Sequence, residues 1–138
     1  MLSVKGVRLV TVASFVAEMG DIRRYDYPKQ IQKLAELAIR QISSGKSKCS
    51  SGISRRGRAR LRTALFRAAL SLARTNPKFA TLHKYYTTRP NNPLKKKQSI
   101  VALSCKLIRV LYALARKQTE YDPQRLMGDI HRPQLLAA

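Results

Sequence analysis

Ser43 and Ser44 stand directly before Gly45, with Lys46 and Lys48 just after them and Arg40 just before. A serine hydroxyl attacks a phosphodiester only when a base or a strong field eases loss of its proton. Cations must also stabilise the charge that builds on the non-bridging oxygens. A serine beside a glycine and among cations offers both exposure and field. The same stretch, with five serines and two glycines between Ile42 and Gly52, also has the composition of a solvated linker. A second group follows: Arg55, Arg56, Arg58, Arg60 and Arg62 fall at the expected start of a helix. Cations there oppose the helix dipole, and a phosphate bound at that end would reverse the sign. A third candidate is Val4-Lys5-Gly6-Val7-Arg8-Leu9, which precedes an apolar helix and looks like a degenerate helix–hairpin–helix opening. In that motif a glycine turn and a helix N-terminus present N–H groups to a phosphate. Here Arg8 stands where the second glycine would be. It either blocks close backbone approach or supplies a cation.

The charge around these residues narrows the partner. The chain has 138 residues, 28 Lys and Arg against 7 Asp and Glu, and a formal net charge of +21. From Leu37 to Thr119 there is no carboxylate at all, while twenty Lys and Arg fall in that stretch. A surface without internal counter-charge repels itself and compacts more easily beside a polyanion. Nucleic acid and an anionic membrane are the two such partners. Nothing reads as a membrane span, since the longest apolar helix is interrupted by Lys106 and Arg109. Nucleic acid is therefore the expected partner. With no Trp and few aromatics, phosphate contact should outweigh base stacking. Cys49 and Cys105 lie far apart, and with His83 and His131 they fit a four-ligand metal site poorly. They read as reduced thiols of an intracellular protein.

Helical periodicity supplies the elements that must position these groups. A first helix runs from Leu9 to Met19, apolar nearly all round, with Gly20 as its C-cap. A second starts at Pro28, buries Ile31, Leu34, Ala35 and Ala38, and fades near Arg40. Residues 42–52 read as a loop. A third helix spans Arg58 to Arg74 with Leu61, Leu65, Ala68 and Leu72 on its core face. Thr75-Asn76-Pro77 stops it, and Pro77 opens a short helix through Phe79, Leu82 and Tyr86. The last helix, Lys95 to Lys117, should lie centrally and carry Lys106, Arg109 and Arg116 as a narrow basic stripe. No segment alternates with a period of two. The fold class is all-α, a compact domain of about five helices ending in an extended tail.

These blocks, in this order, resemble the C-terminal domain of insertion-sequence transposases that join a resolvase-like DEDD nuclease domain to a serine-bearing transposase domain. The resemblance covers almost the whole chain. It runs from Val4-Lys5-Gly6-Val7 through the stretch from Ala17 to Tyr25, Pro28-Lys29-Gln30-Ile31, Lys33-Leu34-Ala35 and Ser43-Ser44-Gly45-Lys46. The most specific block is Ile53-Ser54-Arg55-Arg56-Gly57 followed by Arg60-Leu61-Arg62 and Leu65. Lys106-Leu107, Leu111-Tyr112-Ala113-Leu114 and Tyr121-Asp122-Pro123 complete it. The sequence departs from the family at Glu36, where a glycine is common, at Ile39, often a proline, and at Arg8 in the hairpin.

The resemblance implies a DNA recombinase directed by a structured guide RNA. It also implies a serine, Ser44 or Ser43, that attacks DNA to form a phosphoserine link. Arg8, Lys46, Lys48, Arg55, Arg56, Arg58, Arg60 and Arg62 would bind nucleic acid. Residues 1–120 would form the transposase C-terminal domain, with 121–138 an extended tail. Magnesium belongs to the carboxylates of the DEDD domain, and no cofactor is expected in this chain. The chain is expected to be a fragment that binds nucleic acid without recombining DNA. The expected setting is the prokaryotic cytoplasm at the nucleoid, with homo-oligomers of the full-length protein and no membrane. Two competing readings are a non-catalytic basic helical module for DNA or RNA and a structural component of a ribonucleoprotein.

Overall fold

A computed structural model describes residues 3–37, 58–90 and 93–126, together with the backbone of 39–40, 43–44, 47–48 and 52–53. It is all-α in class. Helix α1 spans Leu9–Met19, α2 Pro28–Leu34, α3 Ala59–Thr75, α4 Pro77–Thr88 and α5 Lys96–Lys117, with a 3₁₀ turn at Ile22–Arg24. The segment read as an extended tail begins with one helical turn, α6, at Pro123–Leu126. Pro123 suits that first position because its missing N–H would have had no helical partner.

Helices α3 and α5 form the central pair, with α1 packed on α3, α2 on α5, and α4 against both α3 and α5. Leu61, Leu65, Ala68 and Leu72 of α3 are all buried, as their spacing predicts. They meet Leu103, Leu107, Ile108 and Leu111 of α5, which are fully enclosed. Among the described residues α5 is the one helix long and apolar enough to cross a bilayer. Half of that apolar window is buried against the other helices.

Caps explain where the helices stop. Asn76 is buried; its side-chain oxygen accepts from Lys78 N at 3.1 Å and Phe79 N at 3.4 Å, while its amide donates to Lys5 O at 2.9 Å. One side chain thus caps α4 and ties the N-terminal turn to the α3–α4 corner. Helix α2 ends at Leu34, well before the Arg40 expected from its periodicity. Glu36 N bonds Lys33 O and Leu37 N bonds Gln32 O, both at 3.0 Å. Glu36 takes the left-handed conformation with φ +50°. This is the paired-bond helix stop usually built on glycine, with buried Leu37 as its apolar anchor.

Helix α1 has the bounds expected from the sequence, and although it is apolar nearly all round it is buried on one face. Only Phe15 and Met19 are buried, and Leu9, Val10 and Val16 are exposed. Its chief neighbour is α3, so only one face is covered.

The stretch 42–52, read as a loop, contains backbone pairing. Strand β1 (Ile39–Arg40) runs antiparallel to β4 (Gly52–Ile53), with Ile39 opposite Ile53. Between them β2 (Ser43–Ser44) pairs with β3 (Ser47–Lys48), Ser43 opposite Lys48 and Ser44 opposite Ser47. Two-residue strands are too short to leave an alternation in the sequence. They leave the all-α class unchanged.

Candidate nucleic-acid interface

The serine-bearing segment leaves the helical body after Leu37 and returns at Arg58. Arg58 N donates to Leu34 O at 3.2 Å, joining the end of α2 to the start of α3. Between these points the described strands pair in two tiers, β1 with β4 and β2 with β3, and the segment is termed the arm. Ser43 and Ser44 lie in the outer tier, joined to Ser47 across residues 45–46. The candidate nucleophiles are therefore held in a paired strand. Lys48 shares that tier opposite Ser43. Lys46, Arg55 and Arg56 lie outside the described residues.

The described arginines take different positions at the start of α3. Arg58 is the N-cap residue, and its guanidinium donates to Glu18 O at the end of α1 and lies 3.9 Å from the Glu18 carboxylate. It thus supports a helix C-terminus as well as carrying charge. Arg60 is exposed. Arg62 is half-buried, and its enclosed Nη1 has no hydrogen-bond partner among the described residues. A buried donor of this kind keeps its full capacity for an anionic acceptor. No acidic residue occupies the first turn of α1, α2, α3, α4, α5 or α6. The positive ends of α1 to α5 lack first-turn side-chain anions, whereas at α6 the Asp122 carboxylate accepts from Gln124 N at 3.0 Å.

Arg8 is the exposed N-cap residue of α1. The turn before it closes by Val7 N donating to Val4 O at 3.0 Å, with Gly6 at φ +99°. A Cβ on Gly6 would lie 2.7 Å from Thr75 Oγ1 and 2.9 Å from Leu72 Cδ2. Packing on the end of α3 therefore accounts for this glycine.

The expected basic stripe on α5 divides. Arg116 Nη1 donates to Tyr25 O at 2.9 Å, and Tyr112 OH donates to the same carbonyl at 2.8 Å. Arg116 thus helps hold the 3₁₀ turn to α5, while Lys106 and Arg109 lie nearer the middle of the helix. Beside Arg109, Cys105 is a free thiol whose pKa is raised by burial, an effect partly offset by the Arg109 charge. Cys49 lies outside the described residues. A magnesium site of the kind the resemblance implies needs converging carboxylates. Among the described residues no three His, Cys, Asp or Glu side chains come together, so the residues described do not fit that metal.

Arg74, Lys96 and Lys97 were not singled out from the sequence, yet the structure gathers them around one cleft. The Lys95-Lys96-Lys97 run is visible in the sequence. Its meeting with Arg74 depends on α3 and α5 packing side by side.

These positions fit what comparison with known proteins finds. The transposase IS116/IS110/IS902 family matches residues 1–84, from the N-terminal turn through the arm and α3 into α4. The transposase for insertion sequence element IS1111A of Coxiella burnetii is 33% identical over 124 residues, covering 86% of this chain and 33% of its own length. A Pseudomonas aeruginosa protein named "Probable family 20 transposase" is 30% identical over 128 residues, covering 89% of this chain and 36% of its own. The chain spans about a third of the length of these curated relatives. With the glycine-pinned turn, the serine arm and the arginine-led helix all inside the matched residues, the chain belongs to the IS116/IS110/IS902 transposase family.

Proposed function

We propose that this chain is the nucleic-acid-gripping, serine-bearing part of a transposase that cuts and rejoins DNA. One observation carries the reading: the Ser43-Ser44 strand is borne on an arm whose base is closed by Leu34 and Arg58, at the start of an arginine-led helix. In the reaction, the Oγ of Ser44, or of Ser43, attacks a DNA phosphorus. A serine O–P bond forms as one P–O bond to deoxyribose breaks. The serine proton passes to solvent or a base, and the departing sugar oxygen takes up a proton to leave as a hydroxyl. The phosphoserine link conserves the energy of the broken bond, and attack by a second DNA hydroxyl releases the serine. Arg60, Arg62 and Lys48, with Lys46, Arg55 and Arg56, stabilise charge on the non-bridging oxygens and hold flanking phosphates. Arg8 and Arg58 extend this field.

Magnesium chemistry belongs to a DEDD domain outside the residues described here. A structured guide RNA selects the DNA, the full-length protein works as a homo-oligomer, and the setting is the cytoplasm at the nucleoid. The family membership and the carboxylate-free stretch from Leu37 to Thr119 support this reading.

The test joins this chain to the N-terminal part of a full-length relative and compares wild type with Ser44→Ala and Ser43→Ala. Recombination should vanish in one variant while DNA binding persists in both. Unchanged recombination in both would remove the serine mechanism and leave a non-catalytic basic binding module.

A further inference from the structure

A cleft of about 440 Å³ opens where α3, α4 and the start of α5 meet, well along the chain from the serine arm. Phe66, Leu70 and Ala73 of α3 and Ile100 of α5 give it an apolar lining. Ile100 is buried, Phe66 and Ala73 are half-buried, and Leu70 is exposed. Arg74, Lys96 and Lys97 are also lining residues, and all three are exposed. Among the described residues no carboxylate lines the cleft. His83 completes it, its ring oriented by a 2.8 Å hydrogen bond between Nδ1 and the buried Ser99 hydroxyl. An apolar slot bordered by cations has two chemistries to satisfy at once. The slot favours a flat, weakly polar ring, and the cations favour an anion attached to it.

We propose that this cleft binds an unpaired nucleotide, with the base in the Phe66–Leu70–Ala73 slot and its phosphate held by Arg74, Lys96 and Lys97. A plain phosphate surface would need no slot, and an apolar peptide site would gain nothing from a border of cations. Base insertion against apolar and aromatic side chains with backbone charges outside is the usual grip on single strands. DNA and RNA share this chemistry. The assignment rests on nucleic acid being the partner of this chain and is independent of the serine reaction.

The probe is a fluorescently labelled thymidine octamer, compared by anisotropy with an abasic deoxyribose-phosphate octamer of the same length and with a 5-methyluridine octamer. Wild-type chain should bind the thymidine octamer at least about five-fold more tightly than the abasic one, as one or more stacked bases would give. Ala73→Phe fills the slot and should abolish that preference, so that the two octamers bind alike. Leu70→Gln makes the slot polar at an exposed position and should weaken the preference in the same direction. Lys96→Gln with Lys97→Gln should weaken both octamers more than the control pair Lys29→Gln with Lys33→Gln on α2. Circular dichroism confirms that each variant is folded. Any sugar preference that is lost in Ala73→Phe supports the site and names its source. Salt-sensitive binding with no dependence on bases, or a base preference untouched by both slot variants, overturns the cleft while leaving the broader nucleic-acid reading standing. No binding of any octamer overturns both.

Discussion

The Arg58 guanidinium donates to the main-chain carbonyl of Glu18 and lies 3.9 Å from the Glu18 carboxylate, fastening the N-cap of one helix to the last turn of another. The two side chains are 53% and 26% exposed, so water and salt screen the ionic part. That part is expected to contribute no more than about 1 kcal/mol. Arg58→Ala should therefore destabilise the chain by about 1–2 kcal/mol, chiefly through the orphaned carbonyl, and Glu18→Gln by less than about 0.5 kcal/mol. Urea unfolding of the two variants gives the comparison. Glu18→Gln also removes the carboxylate that competes for Arg58, so it should tighten DNA binding. Unchanged DNA affinity in Glu18→Gln would place Arg58 away from the contact.

Glu36 occupies a left-handed position that an L side chain adopts at a cost. Glu36→Gly is expected to raise stability by about 1 kcal/mol, at the low end of the steric cost because Glu36 also engages neighbouring groups. Glu36→Val should lower it, since a branched Cβ crowds that conformation further. Denaturation midpoints with an unchanged slope would test both signs. A destabilising glycine would mean that the contacts of Glu36 outweigh its backbone strain.

Gly6 is the opposite case, a glycine whose replacement has nowhere to go. Gly6→Ala brings a Cβ against Thr75 Oγ1 and Leu72 Cδ2 and forces a positive φ on alanine. The expected loss is about 2–3 kcal/mol. Thr75→Ala in the same chain should recover only part of it, because the Leu72 contact and the φ remain. Complete recovery would show that the Thr75 hydroxyl was the whole obstacle. Thermal unfolding reads all three proteins.

Burial pushes the Cys105 thiol above its ordinary value of 9.0, so at neutral pH it is a protonated thiol and a poor nucleophile. In a Cys49→Ala background, iodoacetamide should alkylate native Cys105 far more slowly at pH 8 than the same chain in urea. Equal rates would contradict the burial. A raised folded-state value means that the folded protein holds its proton more tightly than the unfolded chain. The corresponding stability is fully present below pH 9.0 and is lost as pH rises through the folded value. Tyr121 shifts the same way, from 10.0, by burial first and then by Asp122. Stability should therefore decline at alkaline pH, and Cys105→Ala should flatten the first part of that decline.

Local signals carried most of the fold. The bounds of α1, the core face of α3 and the Asn76-Pro77 corner follow from apolar spacing, a cap residue and a proline, all of which act within a turn of chain. The early end of α2 was hidden because the residue in the left-handed position is a glutamate, whose side chain gives no sign of that conformation. The strand pairs of the arm were hidden because each strand is only two residues long. The candidate residues showed the same division. Ser43, Ser44 and the arginine run stood out by type and spacing. The attachment of Arg58 to Glu18 and the meeting of Arg74 with Lys96 depend on helix packing across 40 and 22 residues of chain. Charge counting finds cations, but it does not separate those that brace a carbonyl, as Arg116 does at Tyr25, from those that face an open cleft.

The bond between Leu34 and Arg58 makes the arm topologically a side branch. Among the described residues, the packing of α2 on α5 and of α3 on α5 is made by helices outside the arm. Closure at Leu34 and Arg58 fixes where the segment starts and ends on the scaffold, so a change within it need not alter the helical packing. The fold thus separates the part that must endure from the part that must adapt.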